Sequence, residues 1–332
     1  MEPDTITETN AAPRLISTIT EGFNIIANRI YLILFPLTLD VFLWLGPHLR
    51  IKSLMLPYVN AVLSDLPELS NPDLVEMTQW TSELWDILLS HFNLFSFLRI
   101  FPIGIPSLMT GMSPIKTPLG LASTIEVSSA FQAILSWALF SVTGLILGYI
   151  YFDAISRATG KNNIAFSLAS SINAFLQVLL LTFACVMAIL IFLFPTLLMV
   201  TLLSLISVTL GQIVLLLVFL IMVWFLMPLV FSPHGVFVDH QTLGKSITTS
   251  IRLVRNFLPG TGLFILTALL LYQGLNLLWG MAPDSSWVTI FGIFGHAFIS
   301  TGLIASSFVY YRKGLVWMEN KLHQAGKTAI NL

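Results

Sequence analysis

The sequence predicts an all-α, polytopic membrane helical bundle of about six transmembrane helices with amphipathic interfacial helices. Three observations predict it. The chain is 56% hydrophobic with a mean hydropathy of +0.88, it is only 9% charged, and residues 172–231 contain no Asp, Glu, Lys, Arg or His. An ordinary globular chain carries about 25% charged residues, so too few polar side chains exist here to cover a water-facing surface. A net charge of −1 argues against nucleic-acid binding, and a single cysteine, Cys185, argues against a disulfide framework or thiolate cluster.

Residues 1–23 form an N-terminal segment that opens acidic and polar, without the basic start of a cleavable signal peptide, so the first apolar segment is expected to stay in the mature protein. A span needs about 20 mostly apolar residues. On that basis the predicted spans are 24–46, 127–151, two within 172–231, 259–280 and 287–311. Charge sets the count in the long run. Arg157 and Lys161 precede it and Lys245, Arg252 and Arg255 follow it, so both flanks are expected on the cytoplasmic side and the run crosses an even number of times. The turn is expected between Thr201 and Gln212. With both termini and the 312–332 tail inside, eleven Lys/Arg lie in cytoplasmic segments and four (Arg50, Lys52, Arg99, Lys116) in the loop 47–126. That bias is the positive-inside pattern of a plasma-membrane protein.

Three weakly polar, helix-period stretches lead into outward-going spans: 13–29, 162–171 (within the cytoplasmic loop 152–171) and 241–257. Ser17-Thr-Ile-Thr and Ser246-Ile-Thr-Thr introduce the first and third. In the third, Leu243, Ile247, Ile251, Val254 and Leu258 share one face while Lys245, Arg252 and Arg255 lie roughly opposite. The cytoplasmic segment 232–258 is therefore expected to hold an interfacial helix with its basic side on anionic lipid headgroups. The competing reading is that any loop between spans looks amphipathic.

The extracytoplasmic loop 47–126 alone has room for structure outside the membrane. Asn71-Pro72 reads as an N-cap with proline at the first helical position, opening an amphipathic helix over 72–92. Leu74, Met77, Leu84, Trp85, Leu88 and Phe92 share its apolar side, and Asp73, Glu76, Glu83 and Asp86 its acidic side. The phenylalanine-rich run 92–109 that follows is broken by Arg99, Pro102, Gly104 and Pro106. It is expected to rest at the outer interface or to cap the bundle, because freed backbone groups in hydrocarbon would lack partners.

No catalytic, cofactor-binding or metal-binding set emerges. None of the six histidines (His48, His91, His234, His240, His296, His323) forms a metal-ligand pair at helical spacing, and nucleophile-elbow, Walker A and dinucleotide-binding motifs are absent. Within the spans Asp40 and His296 are the ionisable residues apart from tyrosines and interfacial ends. Both fall roughly 9 to 14 Å below the outer interface at about 1.5 Å per residue. Gln273 and Asn276 lie at comparable depth. These four make a candidate intramembrane polar site, to be weighed against a hydrogen-bonded clasp between helices. Gly144 and Gly148, and the series Gly292, Gly295, Ser300, Gly302 and Ser306, are expected at tight packing contacts. Trp44, Trp224, Trp279, Trp287 and the pair Tyr310-Tyr311 are expected as anchors at span ends.

LGKSITTSIRLVRNFLPGTGLFIL (243–266), the preceding PLVFSPHGVFVD (228–239) and the six-span count resemble multi-span bacterial membrane families of unknown function. These include the membrane domain attached to some glycerophosphodiester phosphodiesterases. The likeness covers roughly 127–315, and LRIFPIGIPSLM (98–109) also resembles a segment of uncharacterised bacterial integral membrane proteins. It implies the bundle but no catalysis, since no position here matches the phosphodiesterase's active-site residues. The sequence thus points to a non-enzymatic, membrane-organising or scaffold protein without a cofactor, in contact with the bilayer and its anionic lipid. The alternative is a transporter or permease component working through Asp40 and His296.

Overall fold

The computed structural model describes residues 12–64, 72–111, 113–160 and 168–330. Asn71 of the predicted N-cap, Lys161 and residues 162–167 of the second interfacial stretch lie outside them, as do the side chains of 72–77. The protein is an all-α bundle. Its helices are α1 (Leu15–Ala27), α2 (Leu34–Leu45), α3 (Lys52–Ser64), α4 (Pro72–His91), α5 (Ala130–Thr159), α6 (Leu168–Ile206), α7 (Val208–Leu226), α8 (Ser232–Asp239), α9 (Leu243–Asn256), α10 (Leu258–Trp279) and α11 (Thr289–Ile330). Two-residue and three-residue strands complete it: β1 (His48–Arg50) pairs in parallel with β4 (Thr124–Glu126), and β2 (Lys116–Thr117) with β3 (Gly120–Leu121) antiparallel.

Among the described residues five helical segments are long and apolar enough to cross a membrane, and a bent pair, 15–27 with 30–45, makes a sixth if counted as one span. The predicted span 24–46 is therefore not continuous. The helical segments on either side of the break, 15–27 and 30–45, meet at 91°. The break sits at Asn28-Arg29, where Asn28 Nδ2 turns back to the Asn24 carbonyl and the Arg29 guanidinium donates to the carbonyl of Ala158 at the end of α5. A cation held by a helix C-terminus is favourably placed, so Arg29 bends the chain instead of entering hydrocarbon with it. Pro36 lies in the first turn of α2, where no amide hydrogen is required, and so breaks nothing.

α5 opens on Ser129, whose Oγ accepts from Gln132 N at 3.3 Å, and continues past Tyr151 to Thr159. Asp153 and Arg157 pair at 2.8 Å one turn apart in its last turns. The long uncharged run divides at Ser207, between α6 and α7. α11 runs 42 residues, through the predicted sixth span and most of the predicted tail. It is the spine of the bundle. α1 crosses it where Gly22 meets the backbone of Ser306 and Phe23 lies on Gly302, and Glu21 reaches Lys313 at 2.6 Å. The Trp279 backbone carbonyl lies over Gly292 and the Trp279 indole over Gly295.

The end of the bundle where α2, α10 and α11 meet the 47–129 insertion is here called the loop end; the opposite end, holding α8 and α9, is the tail end. Aromatic residues expected as membrane anchors are in part core. Trp44 is fully buried at the loop end, donating to the Asp284 carbonyl at 2.8 Å and packing edge-on against Trp287. Tyr310 and Tyr311 are buried because α11 continues beyond them; Tyr310 stacks between Phe231 and Phe264.

Segment 232–258 is two elements, not one amphipathic stretch. α8 is buried along nearly its whole length and ends at His240 in the left-handed region. α9 carries the amphipathic pattern, but Ser246, Ser250, Leu253 and Val254 form its buried face, against protein. The serines fit there because their hydroxyls bind backbone: Ser250 Oγ donates to the Pro228 carbonyl at 2.7 Å and accepts from Phe231 N at 3.1 Å, and Ser246 Oγ donates to the Ser232 carbonyl.

Candidate functional site

Asp40 and His296 come together. α2 and α11 bring His296 Nδ1 to 3.4 Å from Asp40 Oδ2, with both residues at most 1% exposed. That separation is an electrostatic contact and too long for a good hydrogen bond. The Asp40 carboxyl is instead filled by the run 92–109. Ser107 Oγ donates to it, as do the backbone amides of Leu108 at 3.0 Å and Met109 at 3.1 Å. His296 Nε2 has no hydrogen-bond partner and the ring lies 5.8 Å from that of Tyr272. Gln273 is exposed and Asn276 half-buried on α10, and neither side chain hydrogen-bonds to the pair.

The run 92–109 contains no helix of span length. It folds into the bundle: Asn93 Oδ1 caps a short 3-10 turn at Leu94–Leu98 by accepting from Phe95 N at 3.1 Å, and Ile103, Ile105, Ser107 and Met109 are buried. Buried non-helical backbone is tolerated only where protein satisfies it. Asp40 does so on one side. On the other, the two glycines of α5 admit the loop: a Cβ at Gly144 would collide with the Leu98 carbonyl, and one at Gly148 with that of Ile103. The GxxxG on α5 therefore receives a loop where helix packing is the usual reading.

A cavity of about 1040 Å³ lies between this loop and α5, α10 and α11, reaching Phe231 and Ser307 at its far end. Sequence reasoning did not foresee it. Nor did it foresee the tail-end cluster in which His234 Nε2 meets Ser307 Oγ at 2.8 Å and Arg312 donates to the Ser156 carbonyl at 2.9 Å. The signal was available in Ser-Pro-His-Gly, a proline-started helix carrying a lone histidine at the end of sixty uncharged residues.

Lys245, Arg252 and Arg255 are exposed on α9, opposite its serine face, and none is in an ion pair among the described residues. Outside the spans, burial holds the His48 imidazole below its ordinary range; its bond to the Leu43 carbonyl at 3.2 Å opposes this and Arg50 adds to it. Burial likewise raises the Asp284 carboxyl. Among the described residues no group of three or more His, Cys, Asp or Glu is placed to hold a metal ion. Compared with protein-family models, with curated proteins and with solved structures, the chain matches none.

Proposed function

We propose that this protein is a non-enzymatic membrane-organising factor that holds anionic lipid at the basic ridge of α9 in the plasma membrane, with loop end outside and both termini cytoplasmic. One observation carries the reading: α9 is fastened to protein through Ser246 and Ser250, which leaves Lys245, Arg252 and Arg255 as a fixed, exposed row of cations in no salt bridge among the described residues. A row held in place loses little freedom on binding headgroups. Each cation near an anionic surface contributes about 1 kcal/mol. Replacing all three with glutamine is then expected to lower retention of phosphatidylglycerol by the purified protein about 100-fold, since about 1.4 kcal/mol is tenfold. Unchanged retention overturns the proposal. The orientation is tested separately: a cysteine at the exposed Gly244 should react only from the cytoplasmic side and one at Ser285 only from outside.

The second reading, a transport component, is favoured by the burial of Asp40 beside His296. Proton-loaded vesicles containing the protein would then lose their flux on Asp40→Asn. The three donors converging on Asp40 support a clasp instead, and an unchanged flux would remove transport.

A further inference from the structure

We propose that the cavity is a binding site for one anionic phospholipid, its acyl tail lying between α5, α10 and α11 and its phosphate held by Arg99. The proposal is independent of the α9 ridge, which lies at the other end of the bundle.

Size and depth fit a lipid tail. The cavity's 1040 Å³ is at the upper end of what small-molecule pockets span, roughly 300 to 1,000 Å³. The lining residues of α11 run from Ser300 to Ser307, about 10 Å at about 1.5 Å per residue. One tail covers about 15 Å, half of a hydrocarbon core about 30 Å thick. The walls are apolar where the tail would run, at Phe152, Phe264, Ala268 and Leu303.

The polar groups gather at the loop. Arg99 lines the cavity and donates to Thr110 Oγ1 at 2.9 Å, but it has no carboxylate partner among the described residues, whereas Lys52, Arg157 and Lys313 each have one. A guanidinium with spare donors is suited to a phosphate. Asn93 supplies the second, independent sign. It is 2% exposed and lines the same cavity; its Oδ1 is taken by the amides of Leu49 and Phe95, and its Nδ2 is buried with no partner. Buried donors are rarely left unmade, and a phosphate or glycerol-ester oxygen would complete this one.

The test uses the full-length protein reconstituted in phosphatidylcholine vesicles carrying a small fraction of phosphatidylglycerol with a photoactivatable diazirine at the end of one tail. Cross-links are mapped by mass spectrometry. Labelling is expected on α10 and α11 around Phe264 and Ser307, and Ala268→Trp, which fills the shaft, should reduce it at least fivefold while leaving labelling of the exposed α7 face unchanged. Loss of the α7 signal as well would mark a misfolded variant, and Leu303→Phe, which fills the shaft from α11, then carries the same expectation. Arg99→Gln should lower labelling by diazirine-phosphatidylglycerol several-fold but not that by a diazirine-diacylglycerol, which has the same tails and no phosphate. Labelling confined to α6 and α7, or unaffected by both filling variants, overturns the site; equal loss with both lipids on Arg99→Gln overturns the phosphate assignment. Neutralising the α9 ridge should change none of these results.

Discussion

At the loop end an ionisable side chain ties down irregular backbone, and at the tail end neutral hydroxyls do so. Asp40 receives two amides and a hydroxyl from a loop that has entered the bundle. Ser250 and Ser246 receive or donate one or two bonds each at the joint between α7 and α8. The number of donors explains the difference. Two oxygens with about four lone-pair sites can collect three donors at one point, which a hydroxyl cannot. The cost is a fully buried carboxyl group, acceptable because every donor it meets would otherwise be unsatisfied there. The comparison also explains why the joint at the tail end needs no such carboxyl: α8 is a helix and satisfies its own backbone, while 99–109 is not.

Asp40→Leu should break the loop end most severely. It leaves Leu108 N, Met109 N and Ser107 Oγ buried without an acceptor, and a loss of about 3 to 5 kcal/mol is expected, as for other buried charged groups stripped of a partner. Denaturant titration in detergent micelles would read it, and Asp40→Asn, which keeps one acceptor oxygen, should lose visibly less. If the two variants were equal, the donors would not be what Asp40 serves. Gly148→Leu attacks the same loop from the other side, pushing on the Ile103 carbonyl, at a cost of about 1 to 3 kcal/mol. At the tail end Ser250→Ala removes the acceptor of Phe231 N and should cost about 1 kcal/mol, less than the Asp40 change by the same measurement. A larger loss from Ser250 would reverse the comparison.

Much of this architecture was legible in the chain. Residues 172–231 announce membrane helices by composition alone, and the Lys/Arg positions of α9 fall on the exposed face that periodicity assigns them. The meeting of Asp40 and His296 was legible as a matter of depth, since two groups at one level of a bundle have few places to go. What they meet was not. Hydropathy cannot distinguish lipid from protein as the cover of an apolar residue, so Trp44, Tyr310 and most of α8 read as boundary when they are core. Likewise Gly144 and Gly148 disclose a close approach but not what approaches. The 91° bend is a tertiary effect: Arg29 is captured by a carbonyl 129 residues away, which no local pattern encodes.

The pH response sharpens the contrast between the ends. His48 sits in β1, outside the spans, with its imidazole held neutral by burial. Its folded pKa lies below its unfolded value of about 6.5, so the unfolded chain binds more protons in acid. Stability from this group is complete above about pH 6.5 and is lost as pH falls through the lower folded value. A Tm series in detergent should fall on acidification from pH 7 to 5, and His48→Gln should flatten that part of the curve; an unchanged slope would assign the acid response elsewhere.

The smallest effect is expected on α7, which is apolar and whose side chains are largely exposed among the described residues, the character of a lipid-facing helix. Leu216 is 59% exposed there. In lipid, tails are as apolar as leucine, so truncation forfeits little that the bilayer does not replace. Leu216→Ala should therefore change stability by no more than about 0.5 kcal/mol. Leu43→Ala, on the fully buried face of α2 beside Asp40, should cost about 2 to 5 kcal/mol in the same assay. A large loss from Leu216 would mean that the α6–α7 hairpin has a protein neighbour, and its contribution would then depend on protein concentration, which a dilution series of the same measurement would reveal.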